Sequence, residues 1–311
     1  MDHYVRRVDF GRRLEPAQSV IHGAGQSPDA FEQYYNSVEH CKPMIYMCYC
    51  GLKSVTDRFF ISLKEQLNRY NDICLIPQIG LSMTKDGSPE EHYEHLVVEG
   101  VYDENIKILC EGLKALGRPV FIRIGYEFNG HWNGYDARAY KAAWIKVVNA
   151  FRDHQLDDTA VVWCYAPDGT NKDFMSFYPG DEYVDWWGID CFSTAHFTAS
   201  DTMSFMEAAL KHNFPVMIGE STPRRIGVQD GEESWNNWFA PYFGFIRRHL
   251  NVKAFCYINW EWSRYPQWSD WGDGRIEENP EVLRRYNAEL ASDLYFHGAS
   301  EKDIRNGLCR C

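Results

Sequence analysis

The sequence predicts a single (β/α)8 barrel, and two observations support that fold class. Eight short apolar runs recur along the 311 residues, and each leads through a polar or glycine-containing exit into a segment with helical periodicity. Near-continuous apolar runs are typical of parallel strands that are buried on both faces. Strand and helix alternate without a composition break, which favours one barrel. We therefore expect a catalytic barrel over residues 1–292 and a C-terminal tail, 293–311, that packs on it or leaves it.

The eight predicted strands are short, and several end beside a polar side chain. They are Val20–Gly25, Met44–Cys50, Ile73–Gly80, the start of the stretch Arg118–Tyr135, Ala160–Ala166, Val184–Phe192, Pro215–Glu220 and Val252–Trp260. The alternative architecture is a doubly wound open sheet. It is disfavoured because His22-Gly-Ala-Gly25 lacks the third glycine of the dinucleotide-binding fingerprint.

Helix signals lie between the apolar runs. Ser27-Pro28-Asp29 and Ser88-Pro89-Glu90-Glu91 each combine a capping residue, a proline at the first helical position and acidic residues in the first turn, so both are predicted to open helices. Gly117 is placed to end the helix that follows Asp103. Further helices are predicted over 56–70, 136–154, 202–213, 232–250 and 280–290.

The charge balance limits the choice of partners. A formal net charge of -12 argues against nucleic acid and against an anionic membrane surface, because both attract basic proteins. No apolar run approaches the length of a membrane span. Residues 1–13 are charged without a following apolar segment, so no signal peptide is predicted. The location stays open, secreted or periplasmic if a leader was removed and cytoplasmic otherwise, and we expect a monomer.

The cysteines and histidines suggest no metal site. Most of the ten cysteines lie inside apolar strand-like runs, where a free thiol acts as a small core hydrophobe. Cys48-x-Cys50 and Cys309-x-Cys311 offer too few ligands for zinc. His92-x-x-His95 is predicted to lie on a polar, solvated helix among Glu90, Glu91 and Glu94. We therefore predict neither a metal nor a cofactor, and the absence of a G-x-S-x-G motif excludes the usual serine hydrolase elbow.

The strand exits predict a carbohydrate cleft. In a barrel of this kind the active site lies at the carboxyl ends of the strands. The exits are acidic, amide-bearing and aromatic, a mixture that hydrogen-bonds sugar hydroxyls and stacks on sugar rings. The candidate site residues are His22, Tyr49, Gln78, Arg123, Tyr126, Glu127, Asn129, Trp132, Trp163, Asp190, Glu220 and Trp260.

Glu127 and Glu220 are the candidate catalytic pair. Each follows an apolar strand, and two carboxyl groups, one protonated and one ionised, are what glycoside hydrolysis requires. The alternatives are structural ion pairs, with Arg123 for Glu127 and with Arg224 or Arg225 for Glu220.

Three motifs, Arg123–Trp132, Val184–Asp190 and Pro215–Glu220, resemble those of the retaining glycosidases of clan A. The closest resemblance, over roughly residues 118 to 262, is to glycoside hydrolase family 26, whose members cleave β-mannans, β-1,3-xylans or mixed-linkage β-glucans. The β-1,3-glucanases of family 158 are the alternative. The resemblance implies that Glu127 is the acid/base, Glu220 the nucleophile, and Trp132 and Trp260 sugar platforms, with Arg123 and Asn129 orienting the site.

Two departures from the family pattern affect the expected specificity. Family 26 enzymes usually carry histidine directly before the acid/base glutamate, where this chain has Tyr126. The clan often places a tyrosine near the end of strand six to hydrogen-bond the nucleophile, where this chain has Phe192 or Asp190. We expect Tyr257 or Tyr165 to supply that hydroxyl group instead.

The sequence therefore predicts a retaining endo-β-glycoside hydrolase with β-mannan as its first-choice substrate. A β-1,3-glucanase, or another β-glucan or β-xylan hydrolase of the same clan, is the alternative within this class. A carbohydrate-binding barrel without catalysis is the alternative outside it, and a metal-dependent barrel hydrolase is a third.

Overall fold

The computed structural model describes residues 6–85, 88–298 and 308. Its strands are β1 Val20–Gly25, β2 Ile45–Gly51, β3 Ile76–Ser82, β4 Thr84–Lys85, β5 Ser88–His92, β6 Val120–Ile124, β7 Thr159–Tyr165, β8 Trp186–Cys191, β9 Val216–Ser221, β10 Val252–Ile258 and β11 Tyr295–Phe296. Eight of these strands run parallel in one sheet, in the order β10-β9-β8-β7-β6-β3-β2-β1, and pairing of β10 with β1 closes it. The predicted (β/α)8 barrel is thus confirmed.

Helices cover the outer face of the barrel. They are α1 Pro28–Ser37, α2 Asp57–Leu67, α3 Glu94–Glu99, α4 Asp103–Leu116, α5 Ala137–Asp153, α6 Ser200–Lys211, α7 Glu232–Ser234, α8 Ala240–Arg248 and α9 Pro280–Leu290, with a π-helical turn, Trp235–Phe239, between α7 and α8. Ser27 caps α1 through a hydrogen bond from the Ala30 amide, as predicted. Within the described residues no helix has both the length and the apolar character needed to cross a bilayer.

The segment beginning at Ser88 is a strand, so its prediction as a helix start was wrong. β5 pairs antiparallel with β4 and forms a small hairpin after β3. Pro89 is tolerated there because an edge strand does not need every amide hydrogen. The helix begins only at Glu94, after the buried Tyr93, whose amide donates to the Met83 carbonyl oxygen.

Alternation along each strand sorts the side chains into two cores. Phe121 and its equivalents on the other strands pack inside the barrel, while Ile122 and its equivalents pack against the helices. Successive strand residues face opposite sides of a sheet. Arg123, two residues after Phe121, therefore points into the barrel, and this places its charge under the carboxyl ends of the strands.

The N-terminal segment crosses the amino end of the barrel, opposite the carboxyl ends. The Trp186 indole donates to the Arg13 carbonyl oxygen at 2.7 Å. Lys253 Nζ lies 3.5 Å from Glu15 Oε1 and donates to the carbonyl oxygens of Val8 and Ala17 at 2.8 Å each. The Lys253 and Glu15 side chains have no exposed surface, so this pair is a buried anchor for the segment.

Replacing Lys253 with methionine should destabilise the fold strongly. The substitution leaves Glu15 as a buried carboxylate without its cation, which typically costs about 3–5 kcal/mol. We expect the free energy of unfolding, measured by urea denaturation, to fall by that amount. The exposed Lys211 at the end of α6 serves as control, and Lys211→Met should stay within about 0.5 kcal/mol of the parent. Equal effects of the two substitutions would contradict the anchor.

The C-terminal residues return to the first strand. β11 pairs in parallel with β1, and Leu308 forms an isolated bridge with Pro16. The tail predicted over 293–311 lies largely outside the described residues, as do Cys309 and Cys311, and the boundary at residue 292 remains a prediction. The eight cysteines that are described form no disulfide, and Cys110, Cys164, Cys191 and Cys256 are buried.

Candidate active site

A cavity of about 820 Å³ opens at the carboxyl ends of the barrel strands. Its walls combine acidic, amide and aromatic side chains. They are formed by Gln26, Tyr49, Cys50, Gly51, Ser82, Tyr126, Glu127, His131, Trp132, Asp168, Phe192, Glu220, Arg224, Trp262, Gln267, Trp268 and Trp271. Of the predicted site residues, Glu127, Glu220, Tyr49, Tyr126 and Trp132 are among them. The structure therefore brings both candidate catalytic carboxyl groups into one cavity.

Glu127 is held by the loop that follows β6. Its backbone is left-handed, with φ at 53°, directly after Gly125 at 51° and Tyr126. A residue with a side chain seldom adopts this conformation, and it persists only where neighbours enforce it. Here the Asn133 amide donates to the carbonyl oxygens of Tyr126 and Glu127 at 3.0 Å each. The Trp132 indole Nε1 donates to Glu127 Oε2 at 2.7 Å, which fixes the carboxyl group itself.

Arg123 links the acidic groups beneath the cavity. Its Nη2 donates to Glu220 Oε1 at 2.7 Å and its Nη1 to Asp190 Oδ2 at 2.8 Å. The guanidinium carbon lies 4.9 Å from the centre of the Tyr126 ring and 5.9 Å from that of Tyr49. The Arg123 side chain is fully buried, so one cation is fixed between two carboxylates and two aromatic faces.

Two glycines leave room for this arrangement. A Cβ atom on Gly219 would lie 2.7 Å from Asp190 Oδ1 and 3.0 Å from Arg123 Cδ, closer than the ion pair permits. A Cβ atom on Gly80 would lie 2.8 Å from the Tyr49 ring and 3.1 Å from that of Tyr126. Both glycines are therefore required by the close approach of side chains at the floor of the site.

The electrostatics separate the roles of the carboxyl groups. Burial, followed by the negative charges of Asp190 and Glu220, raises the pKa of Glu127 well above its usual range, although the Trp132 hydrogen bond opposes the shift. Burial likewise raises the pKa of Asp190 to about 7, against the attraction of Arg123. Glu220 has Arg123 as a direct ion-pair partner. Glu127 is thus the group suited to hold a proton, and Glu220 is the one that contacts a buried cation.

Three predicted substrate contacts do not reach the cavity. Trp163 and His22 occupy outward-facing strand positions and pack with no exposed surface between barrel and helices. Asn129 is buried behind Glu127, where its side-chain amide donates to the carbonyl oxygens of Ala166 and Asn171 at 2.8 and 3.2 Å. Full or nearly full burial prevents contact with a sugar, so their placement in the substrate site was wrong.

Gln78 and Trp260 lie close to the site but not in its wall. Gln78 is buried below the floor and donates to the Gly219 carbonyl oxygen at 3.1 Å, so it supports the residue before Glu220. Trp260 stacks on Tyr265, with ring centres 5.7 Å apart, in the loop after β10. The cavity is bordered there by Trp262, Trp268 and Trp271 instead.

The expected tyrosine beside the nucleophile is not supplied by Tyr257 or Tyr165. The Tyr257 hydroxyl group donates to the Gly274 carbonyl oxygen, and the Tyr165 hydroxyl group donates to Asp201 Oδ2 at 3.3 Å. Both rings face the outer core. The partner found for Glu220 is the guanidinium of Arg123, so that expectation was wrong.

A polar cluster in the cavity wall was not predicted from the sequence. Asp168 lines the cavity and accepts hydrogen bonds from His196 Nε2 at 2.9 Å and from Arg224 Nη1 at 2.6 Å. Although burial acts to raise it, these two donors hold the pKa of Asp168 below its usual range. The Phe192 amide donates to His196 Nδ1, so His196 Nε2 carries the hydrogen. The three residues come from three different loops, and no local spacing links them.

Comparison with known proteins identifies the chain as a glycoside hydrolase. The family model of glycosyl hydrolase family 26 matches residues 81–234, the part of the chain that contains both Glu127 and Glu220. The chain is a glycoside hydrolase most like those of family 26. It is accordingly an endo-glycosidase, and a carbohydrate is its substrate.

The curated relatives of this chain differ in the polysaccharide that they cleave. A β-1,3-xylanase from an Alcaligenes species is 26% identical and aligns with 93% of this chain and 67% of its own length. A mannan endo-1,4-β-mannosidase from Bacillus subtilis strain 168 is also 26% identical, over 78% of this chain and 75% of its own. The solved structure of Bacillus subtilis mannanase man26 superposes with a TM-score of 0.65 at 18% identity, covering 93% of this chain and 89% of that one. The structural likeness supports the barrel fold.

Replacing Trp132 with phenylalanine should move the pH profile of this glycoside hydrolase. The indole hydrogen bond lowers the pKa of Glu127, so its loss should raise that pKa further. If Glu127 acts as the acid, its active protonated form then persists to higher pH. We expect the alkaline limb of kcat/KM to shift to higher pH, measured between pH 5 and 10. An unchanged limb would contradict control of Glu127 by Trp132.

Proposed function

We propose that this chain is a retaining endo-β-glycanase in which Glu127 is the acid/base and Glu220 the nucleophile. The observation that supports this best is the difference between the two environments. Glu127 is buried and lies among negative neighbours, and both effects favour its protonated form, whereas Glu220 is paired with a buried arginine. One proton donor and one ionised carboxylate are what double displacement requires.

In the first step Glu220 Oε attacks the anomeric carbon while the bond from that carbon to the glycosidic oxygen breaks. Glu127 gives its proton to the departing oxygen, so the aglycone leaves as an alcohol and the sugar is held as an ester of Glu220. In the second step Glu127, now ionised, takes a proton from water, whose oxygen displaces Glu220 from the anomeric carbon. Two inversions give net retention.

The aromatic wall supports an extended polysaccharide as substrate. Trp132 borders the cavity beside Glu127, and Trp262, Trp268 and Trp271 border it beyond the end of β10. Aromatic rings beside Glu127 and in the loop after β10 would provide more than one stacking surface for the sugars of a chain. This is the arrangement expected for attack within a chain.

We propose β-1,3-xylan as the first substrate to test. The β-1,3-xylanase relative aligns with 93% of this chain, against 78% for the Bacillus subtilis mannosidase, although both are 26% identical. β-Mannan, the first choice from sequence, is the second candidate, since the mannosidase and the man26 structure both align with most of the chain. Tyr126, in place of the histidine usual in the family, lies in the cavity wall and is the position we expect to affect this choice.

A single assay separates these alternatives. The purified protein is incubated with β-1,3-xylan, β-mannan, laminarin and lichenan, and the anomeric form of fresh product is followed by proton NMR. We expect β-anomeric oligosaccharides of several lengths from β-1,3-xylan. Initial formation of the α-anomer would contradict retention, and cleavage of β-mannan alone would reverse the substrate order. Binding without cleavage of every polysaccharide would favour a carbohydrate-binding module.

A further inference from the structure

Three side chains that can bind a metal meet near the catalytic loop, where the hairpin ends and α3 begins. His92 is the last residue of β5, and Glu94 and His95 are the first two residues of α3. One ligand atom from each of the three lies within 4.8 Å of the other two. The mechanism proposed above uses none of these residues.

The environment of Glu94 differs from the solvated face predicted from sequence, and that prediction was wrong. Its side chain has no exposed surface. Its Oε1 accepts a hydrogen bond from the Asp136 amide at 2.8 Å, and its two oxygens lie 3.0 and 2.9 Å from His92 Nδ1. A backbone donor that orients a buried carboxylate next to an imidazole is a common feature of protein metal sites.

We propose that His92, Glu94 and His95 bind a divalent transition metal of the zinc type. Two imidazoles and one carboxylate suit zinc, whereas magnesium and calcium prefer oxygen ligands alone. Bonds of roughly 2.0–2.1 Å in a tetrahedron place ligand atoms about 3.3 Å apart. His92 Nδ1 and Glu94 Oε2, at 2.9 Å, are already near that separation. His95 is exposed and can rotate toward them, and water would complete the coordination.

The ion would connect the hairpin to the loop that carries Trp132. Asp136 ends that loop and donates to Glu94, which is a proposed ligand. Gly134 packs directly on the hairpin, since a Cβ atom there would lie 2.2 Å from the Pro89 carbonyl oxygen and 3.4 Å from His92 Cδ2. Trp132 in turn donates to Glu127. The proposed role is therefore structural, in holding the catalytic loop, and the ion takes no part in the chemical steps.

Zinc binding to the intact protein tests this site. Protein freed of metal with a chelator is titrated with Zn²⁺ by calorimetry, and its Tm is measured with and without the ion. We expect one high-affinity ion per chain and a Tm higher by a few degrees, because a ligand of the folded state stabilises it. His95→Ala, at an exposed position, should weaken binding by more than about tenfold, since even an outer hydrogen-bond partner of a ligand contributes that much. His92→Ala should do the same.

His40 provides the matched control, because it is also exposed and lies far along the chain from the cluster. His40→Ala should bind Zn²⁺ like the parent. Substitution by Co²⁺ distinguishes the ligands, since a thiolate charge-transfer band would reveal cysteine instead of histidine. Zinc affinity that is unchanged in His95→Ala and His92→Ala, the absence of a one-to-one site, or a cobalt–thiolate band would each overturn the proposal. These results do not depend on whether Glu127 and Glu220 are catalytic.

Discussion

Replacing Glu220 with glutamine should reduce kcat on the preferred polysaccharide by about 10⁴ to 10⁶, the range found when a nucleophile is removed from a preorganised site. Glutamine is nearly the same size and can still accept a hydrogen bond from Arg123, so the fold should survive. It cannot form the ester with the sugar. Initial rates on the four polysaccharides and circular dichroism of the variant provide the measurement.

A control and a rescue experiment make the test of Glu220 specific. Glu65 is exposed on α2, outside the barrel, and Glu65→Gln should keep full activity. In Glu220→Ala, added azide can enter the space left by the carboxylate and attack the anomeric carbon. We expect an α-glycosyl azide from an activated β-glycoside. A Glu220→Gln variant that retains parental turnover would show that the nucleophile has been misassigned.

Replacing Glu127 with glutamine should reduce kcat on polysaccharide by about 10² to 10⁴, the usual contribution of general acid–base catalysis. Because the acid acts in its protonated form, activity of the parent should fall as the pH rises through the pKa of Glu127. That pKa is raised by burial and by the charges of Asp190 and Glu220, so the alkaline limb should lie well above the ordinary range of a carboxyl group. The variant should lack this limb.

The leaving group distinguishes acid catalysis from a positional effect of Glu127. An aryl glycoside with an acidic phenol needs no proton to depart, so its cleavage to the glycosyl-enzyme should be nearly as fast in Glu127→Gln as in the parent. Release of that intermediate should be slow, and a burst of phenol should therefore be visible. Equal losses on polysaccharide and on the aryl glycoside would show that Glu127 does not act as the proton donor.

Structural features that depend on a short stretch of sequence were predictable. The apolar runs identified all eight barrel strands, and the exits of β6 and β9 identified the two glutamates that the structure brings into one cavity. The incorrect predictions of substrate contacts arose from the direction in which the side chains point. Trp163 was placed in the cleft because it lies near the end of a strand, but alternation along β7 turns it outward. Alternation along β1 turns His22 outward in the same way.

Contacts between distant loops were not predictable from the single sequence. Asp168 lies on a different loop from His196 and Arg224, and only the closed barrel brings these three side chains together. The hairpin at Ser88 was mispredicted for a different reason. Its sequence contains the residues that usually begin a helix, and yet the segment forms a strand. Pairing with β4 and burial of Tyr93 outweighed them. Local sequence preference determines whether a segment forms a helix or a strand only where tertiary packing does not oppose it.

The crowding of three carboxyl groups around the single guanidinium of Arg123 has a consequence for heat tolerance. A carboxyl group whose pKa is higher in the folded than in the unfolded chain opposes folding at every pH above its unfolded value. Glu127 is such a group, because it is ionised in the unfolded chain at pH 7 and must take up a proton on folding. A side chain that cannot ionise should therefore remove this cost at pH 7 and give no benefit near pH 4. We expect Glu127→Gln to melt a few degrees above the parent at pH 7, and a lower Tm would contradict this. The inactive variant would then be more thermostable than the active enzyme. A single side chain would thus lower stability while providing activity.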